Sequence, residues 1–222
     1  MNLRHPAVCD SRFIWVNILL GVDSLESFEK SLKECCEQFL STLVIDLELP
    51  SGQEKYQSEK NKYIGDAFEV FVEFLLLKSD GSNLHGVTKY QPIDFYGGES
   101  DIGVDGKGIH FDNKRPITVQ VKFRSIYTTE LFAKADGLSG FVAASQNIYG
   151  VDINDIHNMV VVTNCVGIDD KSKNKMLFGK VNCLGREQLI AMVNNSTWWD
   201  EFRRLSRPKK KTTTRLPLTS LT

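Results

Sequence analysis

The chain of 222 residues is 41% hydrophobic and 25% charged and carries a formal net charge of −1 at pH 7. These figures describe one domain of ordinary size with enough apolar material for a core, and they exclude a disordered chain or a globally basic one. Five cysteines without a CxxC pair exclude a zinc ladder, and the apolar run Phe13–Val22 is too short to span a bilayer.

No secretory cleavage pattern accompanies that run, so reduced thiols and a cytoplasmic, non-membrane protein are expected. Residues 1–21 mix Arg, Pro and apolar side chains and read equally as a strand or a short helix. Asp23 or Ser24 then caps a helix whose apolar residues (Leu25, Phe28, Leu32, Phe39, Leu40, Leu43) recur at three- and four-residue intervals to about Ile45. Leu49-Pro50-Ser51-Gly52 ends it and opens a polar linker, Gln53 to Lys60. A second helix, Asn61 to Lys78, is apolar around most of its circumference. Glu69 lies within it, on a narrow polar stripe with Lys62, Asp66 and Glu73; such a stripe is solvated in an arbitrary helix.

Val87 to Tyr96 reads as a strand in which Pro92 implies an edge or a bulge. A glycine-rich turn holding Asp105 leads to a β-type run, Pro116 to Phe123. Alternate residues of a strand share a face, so Gln120 and Lys122 point one way while Val119 and Val121 face a core. Ser125 to Lys134 and Leu138 to Gln146 read as helices, His157 to Thr163 and Met176 to Val181 as strands, and Gly185 to Asn194 and Thr197 to Leu205 as closing helices. The Trp198-Trp199 pair belongs to the packing of that last helix. From Ser206 the composition turns to Lys, Thr, Pro and Leu, and a disordered tail is expected. The order predicts a mixed α/β domain with helices on both sides of a central sheet.

The middle of the chain carries the chemistry. Asp105 offers an anionic oxygen, Gln120 a neutral amide oxygen and Lys122 an ammonium, on adjoining positions of one hairpin. Mg²⁺ takes oxygen ligands, keeps several waters and needs only one or two protein carboxylates. A lysine beside it orients a water or offsets phosphate charge. Taken singly, each residue is as well explained as a turn former or a solvated strand face; it is their combination that suggests a divalent-metal site.

This ordered set resembles the PD-(D/E)xK nuclease superfamily, the restriction-endonuclease-like fold, and within it the Mrr-like and helicase-associated branch. The residues that carry the resemblance are Gly65-Asp66-Ala67-Phe68-Glu69, Gly103-Val104-Asp105-Gly106 and Val119-Gln120-Val121-Lys122. It covers about Lys62 to Thr163. It implies a mixed central sheet flanked by helices, with Asp105, Gln120 and Glu69 as metal ligands and Lys122 as a catalytic lysine. Gln120 stands where the family more often has Glu, a departure shared with the Mrr-like branch. Asp94 and Asp101 are rivals for the first acid or partners in a second metal.

The resemblance therefore implies a nuclease domain over 56–205, with an N-terminal helical extension over 1–55 and a basic tail over 206–222. The expected activity is Mg²⁺-dependent (Mn²⁺ substituting) endonucleolytic hydrolysis of double-stranded DNA, with catalysis by Asp105, Gln120, Lys122 and Glu69. An exonuclease or junction-specific nuclease would use the same residues. The alternative is a catalytically silent DNA-binding module of the same fold serving a helicase or packaging partner. Lys107, Arg124, Lys209, Lys210 and Lys211 are the candidate DNA contacts, since a basic tail supplies sequence-independent affinity. Cutting both strands implies two sites and hence a homodimer, for which the apolar face of Asp23–Ile45 is the candidate contact.

Overall fold

The computed structural model describes residues 3, 5–8, 10–82, 85–93, 103–152, 154, 158–173 and 181–206. Among the described residues up to 21, Pro6–Val8 form a 3₁₀ turn and Trp15–Ile18 a one-turn helix, α1, and none forms a strand. Helix α2, Leu25–Ser41, starts at a Ser24 cap, whose side chain accepts from the Ser27 amide while the Ser27 hydroxyl accepts from the Ser24 amide. That reciprocal arrangement satisfies two otherwise orphaned donors. The helix ends four residues before Ile45.

The expected linker at Gln53–Lys60 does not exist as a linker. Helix α3 runs unbroken from Pro50 to Ser79. Pro50 occupies the first helical position, where its missing N–H costs nothing, and Gln, Glu and Lys then propagate the helix readily. Gly52 is required by a close approach: a Cβ there would lie 1.7 Å from the Asp46 carbonyl oxygen.

The sheet has five strands: β1 Val87–Pro92, β2 Gly106–His110, β3 Pro116–Lys122, β5 Met159–Thr163 and β7 Asn182–Leu184, side by side in that order. β1–β2–β3 are antiparallel, whereas β3–β5–β7 are parallel, so the sheet is mixed. β1 is an edge strand and also bulges between Thr88 and Gln91, where Lys89 has φ of 50°. The expected strand at Met176–Val181 falls largely outside the described residues, as does the tail from 207; Asn182–Leu184 forms the parallel edge.

Ser125–Lys134 is not a helix. It turns at Ile126–Thr129, where the Thr129 hydroxyl donates to the Ile126 carbonyl, and then forms strand β4, Glu130–Leu131, paired parallel with β6, Gly167–Ile168. Thr129 favours this local bonding over continuing a helix. Helices α4 Leu138–Asn147, α5 Asp170–Lys173, α6 Arg186–Val193 and α7 Ser196–Leu205 complete the described chain.

Two apolar layers cover the sheet. On one side, residues of α2, α3 and α7 form a single cluster with Ile117, Val119, Val121, Val160 and Val162. Its centre is aromatic, with Phe28, Phe71, Trp198, Trp199 and Phe202 in mutual ring contact. On the other side, Phe141, Val142, Leu138 and Val104 close over Met159 and Val161. The apolar face of α2 (Leu25, Phe28, Leu32, Cys36, Leu40) is buried in the first layer, so it is not the dimer contact expected from sequence. That face is used to bind α3 and α7 within the same chain, and α3 itself crosses the residue 55/56 boundary.

Candidate active site

Three carboxylates on α3, Asp66, Glu69 and Glu73, recur at i, i+3 and i+7 and thus form one stripe. The stripe is largely covered instead of fully solvated, Asp66 and Glu69 keeping an edge on solvent and Glu73 none. The N-terminal segment lies along it: His5 N–H donates to Glu73 Oε2 at 2.7 Å, His5 Nε2 meets Glu69 Oε2 at 2.7 Å, and Arg12 Nη2 donates to Asp66 Oδ2 at 2.8 Å. Arg12 also reaches Asp10 through its Nε at 2.9 Å, and this guanidinium holds the Asp10 carboxyl below its ordinary range. Glu73 is fully buried, a position an unpartnered carboxylate does not tolerate.

Beside this stripe lies an open cleft of about 930 Å³ whose wall includes His5, Arg12, Lys62, Glu69, Asp105 and Lys122. The cleft thus joins the end of β3 to α3 and the N-terminal segment. Asp105, just before β2, donates its amide to the Val119 carbonyl at 2.9 Å and accepts the Val121 amide on Oδ2 at 2.5 Å. The carboxylate stands where a ladder carbonyl would, which fixes it at the point where β2 begins. Gly106 pairs with Val119, so the register sets Asp105 beside Gln120.

Lys122 ends β3 on the cleft wall, half-buried, and makes no ion pair among the described residues. Gln120, two residues before Lys122 on the regular strand β3, lies deeper than the lysine. It is 1% exposed and is absent from the cleft wall; its Nε2 lies under the Gly103 turn, near the start of α4. Its Oε1 is buried with no hydrogen-bond partner among the described residues. Asp94 and Asp101 lie outside the described residues, as do Lys209, Lys210 and Lys211.

Lys107 is exposed on β2 and sits 5.9 Å from the centre of the Tyr149 ring, away from the cleft wall. Arg124 is on the wall and pairs with Asp136. His110 is structural: its Nδ1 accepts the amides of Asp112 at 3.2 Å and Asn113 at 3.5 Å. Thr163-Asn164 does not line the cleft. Asn164 is buried, where its Oδ1 accepts the Arg124 amide at 2.7 Å and its Nδ2 donates to Glu29 at 2.8 Å. Arg186 Nη1 completes this network with bonds of 2.8 and 2.9 Å to the two oxygens of Glu29.

Tyr90 and the N-terminal residues were not foreseen from sequence. The bulge in β1 turns Tyr90 into the core, and burial pushes its phenol well above its ordinary range, with Asp105, Glu69 and Glu73 adding to the effect. It stays protonated beneath the site. A Cβ on Gly106 would lie 2.2 Å from the Tyr90 hydroxyl. Gly106→Ala is therefore expected to destabilise the fold by about 1–3 kcal/mol through overpacking. Gly65→Ala, in α3 with open space around it, is expected to add roughly 0.5–1 kcal/mol. Urea denaturation midpoints of the two variants test the contrast.

The donor chemistry fits a hard divalent cation. Asp105 brings an anionic oxygen to the cleft wall, and Gln120, opposite it in the β2–β3 register, carries a buried amide oxygen with no hydrogen-bond partner among the described residues; Mg²⁺ needs little more from a protein than one or two such groups and waters. Among the described residues, no three His, Cys, Asp or Glu side chains form a metal-holding group. The fold is a mixed α/β domain with helices flanking a mixed sheet, and no helix among the described residues is long and apolar enough to cross a membrane. No protein-family model, curated protein or solved structure matches the chain.

Proposed function

We propose that the chain is a divalent-metal-dependent nuclease of the restriction-endonuclease-like class, cutting double-stranded DNA. The observation that carries this reading is the meeting of Asp105, Lys122 and Glu69 on one cleft wall, with Gln120, whose amide oxygen has no partner among the described residues, opposite Asp105 in the β2–β3 register. The succession of α3, the Asp105 turn, β3, α4 and β5 is the order in which the resemblance arranges its motifs.

Asp105 and Gln120 would hold a Mg²⁺ or Mn²⁺ ion, which supplies Lewis-acid polarisation of the phosphoryl group and a more acidic water. Lys122 places an ammonium at the mouth of the cleft, where it donates to a non-bridging phosphate oxygen and offsets charge that grows as the bond breaks. Glu69, fixed on α3, would serve the same ion by holding one of its waters, accepting a hydrogen bond from it and orienting it for attack. Lys62 and Arg124 on the same wall add cationic contacts for the phosphodiester backbone. Cleavage of both strands calls for two such clefts, and hence for a pair of chains.

Supercoiled plasmid incubated with the protein and Mg²⁺ or Mn²⁺ is expected to yield nicked and linear products that chelation abolishes. Intact plasmid in either metal, together with a gel shift of the same DNA in Ca²⁺, would instead identify a silent DNA-binding module.

A further inference from the structure

We infer that His5 is a positioning residue of the same cleft, holding Glu69 in the orientation from which it serves a bound divalent cation. This inference rests on the metal-dependent reading above. It assigns a role to the N-terminal segment, which lies outside the stretch that suggested that reading.

His5 is 4% exposed and is fixed at three points. Its own amide donates to Glu73 Oε2 at 2.7 Å, one helical turn from Glu69. The Ala7 amide donates to His5 Nδ1 at 3.2 Å. Because Nδ1 accepts, the ring proton sits on Nε2, which donates to Glu69 Oε2 at 2.7 Å. The imidazole is thus held in one tautomer and one orientation, with a single donor aimed at one carboxylate oxygen.

Glu69 is 14% exposed and lines the cleft together with His5 and Asp105. A glutamate on a helix has three side-chain torsions to fix, and a free carboxylate at a cleft wall samples several rotamers. Anchoring Oε2 removes most of that freedom. A donor behind a carboxylate that serves a metal fixes its direction, and loss of such a partner costs about 10- to 100-fold in metal affinity or activity.

Two substitutions separate the contacts of the ring. His5→Asn keeps a short acceptor near the Ala7 amide but does not extend to Glu69. His5→Gln keeps an N–H donor at the reach of Nε2. Mn²⁺ binding, followed by the free-ion electron paramagnetic resonance signal, gives a readout independent of cleavage; circular dichroism establishes that each variant is folded. His5→Asn is expected to weaken Mn²⁺ binding about 10-fold and to raise the Mg²⁺ concentration for half-maximal cleavage in parallel. His5→Gln is expected to recover most of that loss. Adding His5→Asn to Glu69→Gln is expected to cause no further loss. Equal affinity in folded His5→Asn and wild type would overturn the role of His5 while leaving the metal reading intact. Absence of Mn²⁺ binding by the wild-type chain would overturn both.

Discussion

Lys122→Ala is expected to abolish cleavage, by a factor on the order of 10² to 10⁴ in single-turnover rate, while the protein stays folded. Lys122 is the last residue of β3, and its backbone is paired with Thr163 of β5, so the strand does not depend on the side chain. The ammonium is half-buried and unpaired among the described residues; truncating it leaves no buried acid without a partner. Stability should therefore change by no more than about 0.5 kcal/mol. Asp105→Asn makes a matching test at the other end of the site. The amide still offers an oxygen to the Val121 N–H, so the strand junction is retained while the charge is lost. Cleavage by Lys122→Ala at the wild-type rate would remove the lysine, and with it the present assignment of roles. Loss of activity with collapse of the urea midpoint would show that the residue is structural.

The second large effect is expected at Arg186, which touches no candidate catalytic group. Arg186→Met should destabilise the chain by about 3–5 kcal/mol and lower the thermal midpoint by roughly 10 °C. Glu29 is 5% exposed in its side chain, and Arg186 supplies two of its hydrogen bonds while stacking 3.9 Å over the Tyr127 ring. Removing the cation leaves a buried carboxylate with, among the described residues, only the Asn164 amide donating to it. The double variant Glu29→Gln/Arg186→Met should regain part of the loss, because the unpaired charge is then gone. A shift below 1 °C in Arg186→Met would show that water reaches Glu29 and that the network is not a closed one. Since Asn164 also holds both the amide and the carbonyl of Arg124, slackening here should carry to the cleft wall next to Lys122.

Much of this architecture is written in local pattern. The capping serine of α2, the apolar circumference of α3 and the all-buried run of β5 follow from spacing and residue type alone. The pair of Asp105 and Lys122 was legible because a short hairpin links them. Three features were not. Gln53–Lys60 is polar enough to read as a linker, but a proline at the first helical position and strong helix formers make it the first turns of α3. Ser125–Lys134 has no helical contradiction in composition, yet Thr129 bonds locally and a parallel partner arrives from Gly167–Ile168. The N-terminal residues were hidden by sequence distance. Asp66, Glu69 and Glu73 on so apolar a helix demand basic partners, but nothing local says that His5 and Arg12, more than fifty positions away, supply them.

All three tryptophans of the chain, Trp15, Trp198 and Trp199, are buried in one cluster with Phe202. None lines the cleft wall. Intrinsic emission is therefore a probe of one helical layer and is blind to ligand arrival at the sheet end. A fluorescence melt will report the unfolding of α2, α3 and α7 as a unit, whereas a titration with cation or DNA followed by the same signal will look flat even at full occupancy. A tryptophan introduced at Ser125, at the rim of the cleft, would supply the missing optical handle.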